Sequence, residues 1–248
     1  MNLRIERVLA PNAGPFTGSG TNTWLLESGG ETAVIDPGPL SEPHLAAIVD
    51  AIGVRSVTSV LVTHGHSDHA PLANPLAQQL GVPTYGYGPA PGFDPDLRLS
   101  EGSNLVVGEA TLEVVYTPGH SDDHLCFLTG RVLFTGDHIM GGSSVMVEDM
   151  TAYLRSLKRL QELDLERLYP GHGSEMDQPQ VVISWYIAHR MQREHEILDA
   201  IEGGALGVEA IVEEVYRDVD RSLYPLAARS VAAHLRKLED EGRISGLA

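Results

Sequence analysis

The sequence predicts an α/β sandwich followed by a helical C-terminal region, and three observations carry that prediction. Short apolar, β-branched runs alternate with helix-like segments from residue 3 to residue 172. Four of those runs end in polar clusters that hold His or Asp, at 64–69, 120, 137 and 172. From Gln178 onward the apolar residues fall at helical spacing instead.

The elements follow in order. Residues 3–9 and 23–36 read as strands, separated by the Gly/Pro/Asn/Ser-rich stretch Pro11–Asn22. The run Thr32–Asp36 is stopped by Pro37-Gly38-Pro39, a strand passing into a loop. Ser41 is placed to cap a helix over 42–52. Ser59–Thr63 is a further strand, then come the first histidines and a helix ending near Gly81. Leu112–Tyr116 leads into Thr117-Pro-Gly-His120. Leu125–Leu128 and Val132–Phe134 flank Thr129-Gly130-Arg131, the pattern of a hairpin whose second strand runs into Asp137. A helix over 151–163 sets Tyr153, Leu157 and Leu160 on one face, and Arg167–Tyr169 leads into Pro170-Gly-His172-Gly. Helices are then expected over 178–201, 206–216 and 226–241, with Gly203-Gly204 as a break. Helix, turn, helix and the short tail from Arg243 resemble a winged helix with a reduced wing. Domains are therefore expected at 1–177 and 178–248.

Composition narrows the function. The 248 residues allow one sizeable domain plus an appendage, and 34 acidic against 17 basic residues give a formal charge of −17. Such a field repels phosphate backbones and argues against a general nucleic-acid-coating role. The C-terminal segment 205–248 carries eight acidic and six basic residues, so its helix pair lacks the positive flanks of a DNA reader. Cys126 is the only cysteine, so no internal disulfide forms and a reducing compartment, the cytoplasm, is expected. No apolar run approaches the roughly 20 residues of a membrane span, and a membrane partner is not expected.

Thr63-His64-Gly65-His66-Ser67-Asp68-His69 is the most informative stretch. Three imidazoles and a carboxylate packed this tightly rarely serve a core, because each would need its own buried partner. Imidazole and carboxylate are the ligands of catalytic zinc. In open α/β layers ligands gather at the carboxyl ends of strands, so four such ends on one rim would assemble His64, His66, Asp68, His69, His120, Asp137 and His172.

These motifs resemble the metallo-β-lactamase superfamily, whose signature is His-x-His-x-Asp-His. The resemblance implies a four-layer αββα sandwich with a binuclear metal site. It implies that His64, His66 and His120 hold one ion, that Asp68, His69 and His172 hold the other, and that Asp137 bridges them. Zn2+ is the expected metal; Mn2+ and Fe accept the same donors. Within the superfamily the chain resembles the β-lactamase-like protein 2 branch. The matching stretches are Pro15–Leu26, His120–His124, Glu148-Asp149 before Tyr153–Leu157, Tyr169–Gly173 and Tyr186–Arg190.

The resemblance implies a metal-dependent hydrolase that attacks a small ester, thioester or lactone with a metal-bound hydroxide, Asp68 and Asp137 being the catalytic carboxylates. Single-strand endoribonuclease activity at the same metals, with RNA as substrate, is the alternative, and a glyoxalase II-type thioesterase a further one. A homodimer is compatible with the helical appendage, as is a role in closing the site. His138, Ser143, Ser144 and His189 are candidate substrate contacts; for His189 plain helix packing is the competing reading. His124 reads either as support for a ligand or as a strand histidine, and Cys126 as a buried thiol.

Overall fold

The computed structural model describes residues 3–142 and 144–247. They divide into two compact units that do not follow chain order. The first takes Met1–Thr117, Asp123–Ser143 and Asp164–Pro179; the second takes Pro118–Asp122, Ser144–Leu163 and Gln180–Ala248.

Two six-stranded mixed sheets make up the first unit. One contains, in spatial order, β1 (Leu3–Leu9), β2 (Asn22–Ser28), β3 (Glu31–Ile35), β4 (Ser56–Leu61), β5 (Thr84–Gly86) and β6 (Leu97–Arg98). β1 to β3 are antiparallel and β3 to β6 parallel. Parallel neighbours need crossovers, and α1 (Glu42–Ile52) and α2 (Ala73–Leu80) supply the first two. Ser41 caps α1 as expected, its Oγ accepting from His44 N at 3.4 Å.

The other sheet contains β7 (Asn104–Val107), β8 (Ala110–Tyr116), β9 (Leu125–Thr129), β10 (Val132–Gly136), β11 (Arg167–Pro170) and β12 (Met176–Asp177) as consecutive neighbours. β9 and β10 form the expected hairpin, and only β10 and β11 pair in parallel.

Side chains alternate across a strand, so each sheet can bury two faces. Trp24, Leu26, Ile35 and Leu61 meet Leu112, Val114, Leu125, Phe127 and Phe134 in one core. The intervening Leu25, Val34 and Val60 turn the other way, onto Ile48 and Ile52 of α1 and Leu76 of α2. Burial on both faces is why these strands read as continuous apolar runs rather than alternating ones.

The second unit is helical: α3 (Met150–Gln161), α4 (Pro179–Glu202), α5 (Gly207–Val215), a 3-10 turn (Arg221–Leu223) and α6 (Tyr224–Asp240). Its core joins Ile197 and Ala200 of α4, Ile211 and Val212 of α5, and Val231, Leu235 and Leu238 of α6. The apolar stripes of the last two helices thus pack on each other and on α4. Each buried Val or Leu there contributes about 1.5–3 kcal/mol. No described helix is long and apolar enough to cross a membrane.

Candidate metal centre

Strand ends position the site. β3 leads into Asp36, β4 leads through Thr63 to His64, β10 leads to Asp137 and β11 to His172. The two sheets are tied together at this rim, because Leu125 N at the start of β9 donates to Thr63 O at 2.7 Å. A second tie runs from Asn22 N to Gly171 O, also 2.7 Å.

The histidine-rich turn and the two later strand ends converge. His64 Nε2 and His66 Nδ1 are 2.9 Å apart, and with Asp137 they offer ligand atoms within 4.8 Å of one another. Asp68, His69 and His172 form a second such group. Within it, His69 Nε2 and His172 Nε2 lie 3.3 Å apart, and Asp68 Oδ2 is 3.1 Å from His172 Nε2. Asp137 joins this group too, with Oδ1 3.4 Å from His69 Nε2 and Oδ2 3.4 Å from His172 Nε2.

The outer ring nitrogens fix which way the lone pairs point. His172 Nδ1 donates to Gly20 O at 3.2 Å; a carbonyl only accepts, so Nδ1 holds a proton and Nε2 is the nitrogen turned inward as the candidate ligand atom. His69 Nδ1 pairs with Asp36 Oδ2 at 3.0 Å, which likewise leaves Nε2 inward. Facing imidazole Nε2 atoms flanked by two carboxylates are the donor set of a divalent cation, so these residues fit the metal ions that the motif implies.

The charges agree. Burial alone would lower the His69 pKa, but Asp137 and Asp36 hold it well above the usual histidine range. Burial likewise opposes a charged His172, yet Asp137 and Asp68 push it up to about 9. Burial would raise Asp137, and His69 and His172 overcome that to keep its carboxyl well below the usual range. Asp68 is also lowered, burial being outweighed by His172 and His69. Both carboxylates are ionised at neutral pH.

A layer of further partners surrounds these side chains. Asp36 is buried in a left-handed backbone conformation, φ 50°, and accepts from Thr63 N and Oγ1, both at 2.7 Å. His124 Nε2 accepts from Asp137 N at 3.2 Å, while its Nδ1 meets Thr117 Oγ1 at 2.8 Å. Asp123 Oδ2 accepts from Gly65 N at 2.7 Å, fixing the turn between His64 and His66. Gly171 must be glycine here, since a Cβ would stand 2.5 Å from Asp137 Oδ1 and 2.6 Å from His69 Cε1.

The remaining candidates are placed as follows. His120 lies on the 118–122 segment of the second unit, and its Nδ1 is 2.7 Å from Met146 O. His138 is fully buried with its ring 5.7 Å from that of His124, a packed position rather than one at an opening. Ser144 is exposed, and Ser143 lies outside the described residues. His189 is half-buried on α4 and stacks on Trp185, ring centroids 5.2 Å apart, with a pKa lowered by burial and then by Arg190. Cys126 is a buried thiol, pushed up to about 12 by burial. Sequence reasoning missed Asp36 and Asp123. The available signal for Asp36 was an acid closing an apolar strand just before a Pro-Gly-Pro stop.

Residues 16–172 match the Metallo-beta-lactamase superfamily domain. The chain belongs to that superfamily. Residues 208–247 match the Beta-lactamase associated winged helix domain, which accounts for α5 and α6. A "Beta-lactamase-like protein 2 homolog" of Drosophila melanogaster is 33% identical over 260 residues, covering 97% of this chain and 89% of the relative. The "Atrochrysone carboxyl ACP thioesterase dmxR1" of a Cryptosporiopsis species is 30% identical, over 98% of this chain and 81% of the relative. Among solved structures, a metallo-beta-lactamase family protein of Thermus thermophilus superposes with a TM-score of 0.80 at 23% identity, over 97% of this chain and 94% of that one. The superfamily uses divalent metal ions, and the His/Asp cluster is the part of this member able to hold them.

Proposed function

We propose that this superfamily member is a binuclear metallohydrolase that cleaves a small ester, thioester or lactone. The observation that carries the reading is the convergence of the Nε2 atoms of His69 and His172 between two ionised carboxylates. Likeness to an acyl carrier protein thioesterase favours a thioester among these substrates. Two ions, zinc by preference for mixed imidazole and carboxylate donors, would be held by His64, His66 and His120 and by Asp68, His69 and His172, with Asp137 between them. When bound, such ions supply a nucleophile from water at neutral pH and polarise the attacked carbonyl. We place the chemistry in residues 1–177, with 178–248 as the appended helical domain, and the protein in the cytoplasm.

The chain's own groups then have distinct tasks. Asp68 keeps a quarter of its side chain exposed while the other carboxylate, Asp137, is nearly enclosed. Asp68 is therefore the group that orients an attacking water at the site mouth and accepts its proton. Asp137 balances the positive charge gathered between His69 and His172. Asp36 and Gly20 O keep the two rings from turning their protonated nitrogens inward.

The test is a panel of p-nitrophenyl esters, acyl thioesters, lactones and a fluorescent single-stranded RNA with the metal-loaded protein. Turnover of a thioester or ester, abolished in Asp68→Asn, is the expected result. Cleavage of RNA with no acyl turnover would replace this reading with the endoribonuclease one.

A further inference from the structure

The turn that carries His120 depends on a side chain 70 positions along the chain, Arg190. His120 Nδ1 lies 2.7 Å from Met146 O, and since a carbonyl only accepts, this bond leaves the proton on Nδ1 and the lone pair on Nε2. Met146 sits in the 144–149 segment, which has neither helix nor strand to fix it. Discrete bonds hold it instead. Gly119 O accepts from Glu148 N at 2.8 Å and from Asp149 N at 3.0 Å. Arg236 of α6 donates to Glu148 O at 2.8 Å, but its side chain is exposed and the bond correspondingly weak. Arg190 of α4 differs. It is 3% exposed, it donates from Nη2 to Val145 O, and its guanidinium lies 5.5 Å from the centre of the Tyr153 ring.

Val145 O and Met146 O belong to consecutive peptide groups. Letting the first carbonyl go frees the second to rotate, and with it the acceptor that sets the His120 ring. A buried guanidinium is suited to this task because it holds a carbonyl through a rigid planar fork and stays charged.

We propose that Arg190 is a positioning residue for His120: by fixing the Val145 carbonyl it holds the Met146 carbonyl that keeps His120 in the Nδ1–H form, with Nε2 ready for metal. A helix of the C-terminal region thereby sets the ring orientation of a candidate ligand. The inference rests on the reading of His120 as a ligand.

The experiment compares wild type, Arg190→Met, Arg190→Lys and His120→Ala by zinc competition against a chromophoric chelator and by long-range 1H–15N spectra of the imidazoles. Arg190→Met keeps the bulk over Tyr153 and removes the donor. One of the two zinc ions should then bind about 10- to 100-fold more weakly, the effect of losing an outer partner of a ligand. The other ion should be held as before, and the His120 resonances should lose their single Nδ1–H pattern. Arg190→Lys, which retains a charged donor, should recover most of the affinity, whereas a purely structural role would not distinguish donor from bulk. If Arg190→Met fails to fold by circular dichroism, the equally donor-free Arg190→Leu is read in the same way. Unchanged affinity and an unchanged His120 tautomer in the donor-free variant would overturn the proposal. Wild-type binding of both ions by His120→Ala would instead overturn the ligand assignment beneath it.

Discussion

Two buried clusters of charge, one in each compact unit, are built on opposite plans. In the helical unit Glu194, 1% exposed, receives Lys237 Nζ at 2.7 Å and Arg243 Nη1 at 2.5 Å, one on each carboxylate oxygen. That cluster closes on itself: every charge has a countercharge from the chain. At the strand ends of the first unit, imidazole nitrogens face each other at 2.9 and 3.3 Å, and the carboxylates of Asp68 and Asp137 point into the same space. There the partners lie outside the cluster, on Asp36, Gly20 O and Thr63, and the inner atoms converge. A cluster that stabilises the fold satisfies its atoms internally, whereas one that binds a cation orients its ligands from behind and leaves their lone pairs converging.

The largest expected effect breaks the convergent cluster. Asp137→Ala should lower kcat/KM by about 100- to 1,000-fold, in the range of losing a central electrostatic group. His124→Ala, which removes only the acceptor for Asp137 N, should cost about 10- to 100-fold. Both variants should give native circular dichroism. Equal losses would show that ligand and support had been confused.

The self-contained cluster should respond in stability instead. Glu194→Gln removes the buried anion, leaving Lys237 and Arg243 only the exposed Glu241, and should destabilise the protein by about 3 kcal/mol, with metal content unchanged. The sign of its pH dependence follows from the Glu194 pKa, lowered to about 2 from 4.5, where the neighbouring His234 and the hydrogen bond from Lys237 outweigh burial. A depressed carboxyl stabilises the fold fully above about pH 4.5 and loses that contribution as pH falls towards 2. Urea denaturation across that window should show the gap between wild type and Glu194→Gln narrowing as the solution becomes more acidic. A gap that held constant would contradict the assignment.

A smaller change sharpens the contrast. Gly171→Ala places a methyl against Asp137 and His69, so metal affinity should fall by about tenfold. Because the helical core of α4, α5 and α6 is untouched, the Glu194-dependent acid transition should be preserved.

The grouping of the His/Asp cluster was legible in the sequence because its members sit at strand ends and within one short motif. α1 emerged with the bounds expected, since Ser41, the apolar spacing and Gly53 all agree. The strands β5, β6 and β12 did not, because two or three residues hold no periodicity and are defined only by their neighbours. Asp36 went unseen for a related reason: its partner His69 is 33 residues away, and nothing local marks an acid as buried. The compact units were also unforeseen. The 144–163 stretch groups with the C-terminal helices because α3 contacts α6, a long-range relation that chain order hides.

The most direct test of the account is the metal content of protein purified without chelator, measured by elemental analysis on wild type and Glu194→Gln side by side. The convergent cluster predicts about two divalent ions per chain in both, by the three-plus-three ligand arrangement with Asp137 between. A stoichiometry well under one in wild type would contradict it, as would a loss of metal on disrupting the Glu194 cluster alone.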